Sequence, residues 1–281
     1  MFTLPNDLPQ TESDEGILFY FYSNSSETNN SKIHFTQFCI SIGICGRKRL
    51  RGQEGIEEFA EGDIILYRPG NYIGYQNIDN ENSYESLMIF FNEKILLDVL
   101  KIIDHKPIKD YSSKPMMPFY CFQSDGYLTD YLISVLMHLK NKQMFNASLQ
   151  KVKLIELFVY LQAISKTDLS HLLKTKFRQE SQAQFQQVIE SYNVEKLSLD
   201  ELAFMCNMSL STFKRTFQKK YKISPGKWLI SKRLEKAAEH LASCGKAPFE
   251  VFTDAGYKDY SSFSFAFKKQ YGCSPQQYIL T

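Results

Sequence analysis

Apolar residues follow two different periods along this chain of 281 residues. Up to residue 91 they fall in short runs separated by turn residues. These runs are Ile17–Tyr22, His34–Ile44, Asp63–Tyr67, Tyr72–Tyr75 and Tyr84–Phe91. Arg68, Pro69, Gly70 and Asn71 form a turn signal between two of them. Short strands joined by turns predict a small barrel or jelly roll. Beyond residue 92 the period becomes helical, with Ile95, Leu96, Val99, Leu100 and Ile103 on one face. Residues 126–140 and 149–164 repeat that spacing and predict a helix pair, which either packs inside its domain or forms a dimer surface.

The segment 166–180 is polar, basic and weakly periodic, and is expected to link two domains. After it the helical period returns in shorter pieces. Phe185, Val188, Ile189 and Tyr192 mark one helix. Ser198, with Glu201 three residues on, has the spacing of a capping box that starts the next. Asn207 and Met208 predict a tight turn, since Asn tolerates a left-handed backbone. Ser209 then caps a helix whose Phe213 and Phe217 point to a core. Ser224 and Pro225 open a helix of about 17 residues, or about 25 Å at 1.5 Å per residue.

The stretch Ser209–Pro225 recurs as Asp259–Pro275, 50 residues later and without a gap. Ser211/Ser261, Phe213/Phe263, Phe217/Phe267, Lys219/Lys269, Tyr221/Tyr271, Ser224/Ser274 and Pro225/Pro275 are identical. Two copies are too few for a solenoid. They suit a two-handed grip on a periodic partner, and DNA is the candidate. Units that read successive turns of B-DNA sit about 34 Å apart, which the helix between the copies can bridge.

Charge supports that division. The net charge of +2 conceals −5 over residues 1–168 and +7 over residues 169–281. A basic C-terminal third fits contact with a polyanion, and an acidic remainder does not. No apolar run reaches the ~18 residues of a membrane span, and Met1–Asp7 lacks the basic start of a secretory signal. The six cysteines form no Cys-x-x-Cys pair, and a chain of this size without a signal peptide is expected to be cytoplasmic with reduced thiols. The five histidines include no His-x-His, so no metal or other cofactor is expected.

These C-terminal motifs resemble the DNA-binding domain of the AraC/XylS family of bacterial transcription regulators. The matching residues are Leu199–Ala203, Met208–Phe217, Ser224 with Pro225, Arg233 with Leu234, Ala255–Tyr257 and Phe263–Tyr278. The resemblance implies helix-turn-helix units at residues 198–221 and 248–271, set in adjacent major grooves and activating transcription beside RNA polymerase. It assigns base reading to Ser211, Lys214 and Arg215 in the first unit, and to Tyr260, Ser261 and Ser262 in the second. Ser209, Leu210, Thr212, Asp259 and Ser264 complete the expected DNA-binding set. Lys219, Lys220, Lys268 and Lys269 are phosphate candidates. One departure stands out: Phe265 occupies the position of Arg215, where the family often carries a cation. Phe can touch a thymine methyl but makes no bidentate contact to guanine. The first unit is therefore expected to carry most of the discrimination.

The segment Glu61–Gly70 resembles, over a short stretch, the cupin-like barrel that often precedes this domain. The expected fold class is α+β in two domains: a cupin-like β-barrel with helices over residues 1–165, and an all-α DNA-binding domain over residues 181–281. Phe19, Phe35, Tyr67, Tyr72 and Tyr75 would line the barrel, which is either filled by side chains or open to a small-molecule effector. The competing reading is a cupin-type enzyme fused to a DNA-targeting domain. The residues show no catalytic constellation for it.

Overall fold

A computed structural model describes residues 1–9, 16–25, 28–52, 55–77, 83–103, 119–123, 125–141, 144–164, 181–190, 194–243 and 247–279. The segment read as a linker, 166–180, lies outside the described residues, as do His105 and His171. The chain divides into two compact units, Met1–Glu180 and Ser181–Thr281.

The first unit holds two five-stranded sheets and a helical layer. Its strands are β1 (Phe2–Leu4), β2 (Ile17–Asn24), β3 (Thr28–Phe35), β4 (Phe38–Cys45), β5 (Arg47–Gly52), β6 (Gly55–Phe59), β7 (Asp63–Tyr67), β8 (Gly70–Asn77), β9 (Tyr84–Phe91) and β10 (Phe119–Gln123). One sheet runs β1-β3-β8-β5-β6 and the other β10-β7-β4-β9-β2. Among the described residues they do not close into the expected barrel. Alternation along the second sheet gives the reason. Cys39, Ile65, Tyr67, Met88 and Phe90 face a core shared with Phe35, Leu50, Phe59 and Tyr72 of the first sheet. Their neighbours Ile40, Ile42, Ile64, Leu66, Leu87 and Ile89 pack on the other side. There they meet the helices α1 (Glu93–Ile103), α2 (Gly126–Lys140) and α3 (Ala147–Ile164) through Leu96, Val99, Val135, Leu157 and Phe158. A strand buried on both faces reads as one continuous apolar run. The central strands β4, β7 and β9 do so, whereas a barrel strand would alternate with solvent.

The run expected over residues 34–44 is broken at the bend between β3 and β4. β5 escaped the apolar pattern because it reads Arg-Lys-Arg-Leu-Arg-Gly. In it Arg47 and Arg49 face out while Lys48 and Leu50 turn in.

The second unit is helical: α4 (Ser181–Glu190), a short 3-10 turn (Val194–Lys196), α5 (Leu199–Met205), α6 (Leu210–Tyr221), α7 (Pro225–Ser243), α8 (Pro248–Asp254), α9 (Tyr260–Tyr271) and α10 (Pro275–Tyr278). α7 has 19 residues, about 28 Å at 1.5 Å per residue.

Candidate nucleic-acid interface

Each half of the second unit is a short helix, a turn and a longer helix. In the first, the Ser198 hydroxyl accepts from the Glu201 N–H at 3.2 Å, and the Glu201 carboxylate accepts from the Ser198 N–H at 2.7 Å. This is the capping box read from the spacing. In the second, Glu250 accepts from the Ala247 N–H at 3.1 Å, but Ala247 has no side-chain oxygen to complete the exchange.

The turns share a hydrogen-bond pattern. Met208 N–H donates to Ala203 O at 2.9 Å, and Tyr257 N–H donates to Phe252 O at 3.1 Å. Asn207 and Gly256 each take the left-handed backbone, at φ 54° and 76°. These positions are 49 residues apart, not the 50 of the longer helices. One residue is therefore inserted in the second turn. It lies between Gly256 and the cap Asp259, where Lys258 stands beside Tyr257.

The longer helices α6 and α9 are anchored by duplicated aromatic rows. Phe217 lies 4.6 Å from Tyr221 and 5.2 Å from Trp228; Phe267 lies 4.6 Å from Tyr271 and 5.3 Å from Tyr278. Phe213, Phe217, Phe263 and Phe267 are fully buried. That burial fixes which face is left outward. On α6 it carries Ser211, Lys214, Arg215 and Gln218, all exposed. On α9 the matching residues are Ser261, Ser264, Phe265 and Lys268, with Ser264 half-buried. Gln218 was missed in the sequence, although its spacing of seven from Ser211 places it on this face.

The outward faces differ in chemistry. α6 offers two cations and an amide. α9 offers Phe265, 74% exposed, with Phe249 of α8 71% exposed in the same half. The helix starts differ too. The Ser209 hydroxyl lies 3.0 Å from that of Ser211 and donates to the Thr212 hydroxyl at 2.9 Å, so these side chains hold one another. Leu210 beside them is half-buried. Asp259 accepts from the Ser262 N–H at 2.7 Å and from its hydroxyl at 2.9 Å. The Ser262 amide and then its hydroxyl hold the Asp259 carboxyl below its ordinary range. A fixed negative charge thus stands at the start of α9, and Ser262 has already committed its hydroxyl. Tyr260 is also partly withdrawn, its ring 6.1 Å from those of Phe249, Phe252 and Phe263.

Among the lysines, Lys219, Lys268 and Lys269 are exposed. Lys220 is engaged elsewhere. Its ammonium donates to the Gln186 side chain at 2.9 Å and lies over the Phe185 ring at 5.6 Å, holding α4 to α6.

The two halves meet at Arg233 on α7. Its guanidinium donates to Glu195 O at 2.9 Å and Leu197 O at 3.3 Å, just before α5. On its other side is the turn of the second half, where a Cβ added to Gly256 would stand 3.1 Å from the Arg233 guanidinium. One side chain therefore bridges the start of the first half and the turn of the second.

Residues 202–280 match the family model described as a helix-turn-helix domain, and residues 38–172 match that of the ExsA N-terminal regulatory domain. The chain belongs to the AraC/XylS family. An AraC/XylS relative, the virulence regulon transcriptional activator VirF of Yersinia enterocolitica, is 30% identical over 96 residues, which is 34% of this chain and 35% of VirF. The regulator ExsA of Pseudomonas aeruginosa is 25% identical over 89 residues, 32% of each chain. These matches span about a third of the relatives' length. The solved structure of ToxT from Vibrio cholerae aligns over 96% of both chains at 12% identity and a TM-score of 0.38. The family models and curated relatives are those of transcription regulators, not of cupin enzymes. No described helix is long and apolar enough to cross a membrane.

None of the five residues expected to line an effector pocket lines the cavity found in this unit. Phe35, Tyr67 and Tyr72 pack against one another at 5.0–5.7 Å in the core between the sheets. Phe19 faces the helical layer, 5.0 Å from Phe145. Tyr75 is half-buried. The strand pattern marks inward residues but does not say which inward residues leave space. A cavity does lie between the sheets, with a different lining.

Proposed function

We propose that this protein is a sequence-specific DNA-binding transcription regulator that activates its targets. Its two helix-turn-helix units would enter adjacent major grooves of promoter DNA. The observation that supports this most is the pair of helices α6 and α9, fixed by matching aromatic anchors, with Lys214 and Arg215 exposed on the first. A long basic side chain on an exposed helix face is the group that reads guanine through its O6 and N7. Ser211, Lys214, Arg215 and Gln218 would supply most base discrimination. Ser261, Ser264 and Phe265 would supply apolar fit, with Lys219, Lys268 and Lys269 on phosphates. The N-terminal unit would be the regulatory part, responsive to a small-molecule effector, in a cytoplasmic protein that acts beside RNA polymerase. The activator VirF supports the sign of regulation, and the helix pair α2 and α3 supports a homodimer through that unit.

Genome-wide footprinting tests the reading. Protection of discrete sites, each holding two half-sites about one DNA turn apart, is the expected result. Protection without sequence preference would reject it and favour an architectural DNA binder.

A further inference from the structure

The cavity between the two sheets has a volume of about 400 Å³ and lies wholly within the N-terminal unit. Small-ligand pockets span roughly 300–1,000 Å³. Its wall includes Leu8, Tyr20, Tyr22, Ile33 and Met88, with the polar side chains of Ser31 and Asn24. It also includes Lys48 of β5, which is only 5% exposed.

A lysine buried to that degree ordinarily has a carboxylate beside it. Lys48 has none among the described residues. Its ammonium lies over two rings instead, 5.4 Å from the centre of Tyr84 and 5.9 Å from that of Tyr22. Among the described residues, the neighbouring Cys39 and Tyr84 offer it no negative charge at neutral pH. Burial pushes the Cys39 thiol up, and pushes the Tyr84 phenol up to about 12. The same burial lowers Lys48 to about 8. Among the described residues the wall has one carboxylate, Asp7, which accepts from the Thr3 N–H at 2.6 Å.

We propose that this cavity binds a small monocarboxylate with a compact apolar, preferably aromatic, body, its carboxylate pairing with Lys48. The apolar wall and the tyrosine faces take the body, since flat rings pack well against tyrosines. Lys48 takes one negative charge, and Asp7 disfavours a second. The proposal deepens the effector reading of the N-terminal unit and rests on it for the consequence at DNA, but not for the binding itself.

Calorimetry on the full chain tests it, with 4-phenylbutyrate, decanoate and the uncharged 4-phenylbutanol as probes. Saturable binding of 4-phenylbutyrate is expected, tighter than decanoate and at least tenfold tighter than the alcohol. Lys48→Met should remove the preference for carboxylate over alcohol while leaving alcohol binding in place. Ser31→Phe, which puts a ring into the cavity and keeps Lys48, should abolish binding of all three. Carboxylate affinity should fall as pH rises from 7 to 10 and Lys48 loses its proton. The lysine is then compared with Tyr22, Tyr84, Cys39 and Asp7 by repeating the titration in Lys48→Met. No saturable binding of either carboxylate at millimolar concentration would overturn the proposal. So would equal carboxylate affinity in Lys48→Met, or unchanged binding in Ser31→Phe. Footprints with and without 4-phenylbutyrate separate the two readings. Binding with an unchanged footprint upholds the site and counts against effector control. A changed footprint supports both.

Discussion

Replacing Arg233 by Met should uncouple the two DNA-reading halves while leaving each intact. The arginine donates to Glu195 O and Leu197 O, and its guanidinium packs against the Gly256 turn. Hydrogen bonds from a charged donor contribute about 1.5–3 kcal/mol each. The site is half-buried, and the longer bond of 3.3 Å is the weaker one. Loss of both should therefore destabilise the C-terminal unit by about 2–4 kcal/mol. Met keeps much of the aliphatic stem, so most of this effect comes from the two carbonyls and not from lost packing. At DNA the expected signature is specific. Binding to a single half-site should change less than threefold under conditions where the variant is folded. Affinity for the two-part site should fall by tenfold or more, and the penalty for adding one base pair between half-sites should shrink. Fluorescence anisotropy with three duplexes (single half-site, natural spacing, spacing plus one) measures this, with circular dichroism to fix the folded fraction. If Arg233→Met keeps both full-site affinity and the spacing penalty, the arginine is not what sets the relation between the halves.

Other changes have equally direct readouts. Arg215→Ala should weaken specific DNA by about 1–3 kcal/mol and flatten the base preference; equal weakening of specific and random DNA would refute its base-reading role. Lys48→Met should stabilise the N-terminal unit at pH 7. Because Lys48 is lowered from 10.5 to about 8, the unfolded chain binds the extra proton across that window. Wild-type stability therefore rises with pH between 8 and 10.5, and its deficit against Lys48→Met should close by up to about 3 kcal/mol, less what the tyrosine faces already return. Urea melts at pH 7 and pH 10.5 measure it, and a constant gap would exclude a buried charge. Lys222 caps α6 in the left-handed backbone at φ 59°, where α9 uses Gly272 at φ 79°. Lys222→Gly should raise stability by about 1 kcal/mol, visible as a higher melting temperature. A fragment of residues 170–281 should retain DNA binding and lose regulation. A folded fragment without DNA affinity would contradict the division of labour proposed here.

The C-terminal unit was largely legible because its signals are local. Ser198 with Glu201 announces a cap, Phe213 with Phe217 an inward face, and Pro225 a helix start. Each is decided within one turn of helix. The relation between the halves was not legible in that way. Arg233 could be seen as part of a motif, but its partners Glu195, Leu197 and Gly256 are brought to it only by the packing of α7. The N-terminal unit was legible as strands and helices, but not as a layered arrangement. A buried central strand and a barrel strand both begin as an apolar run. Only the helices on the far face of Ile40, Ile64 and Ile89 distinguish them. Lys48 was hidden for a related reason. In a segment with Arg47, Arg49 and Arg51 it reads as one more surface charge, and the pleat alone turns it inward.

The single added residue between Gly256 and Asp259 bears on anyone who would graft one reading module onto the other. A chimera joined inside α6 and α9 can exchange residues at a constant offset of 50, and its faces will match. A chimera joined inside α5 and α8 must count 49. A splice that crosses the turn without supplying or removing one residue would rotate every downstream side chain by about 100° on a helix of 3.6 residues per turn. The aromatic anchors would then point at solvent and the reading face at the core. The seam of a working hybrid therefore has to fall on one side of Lys258 or carry Lys258 with it.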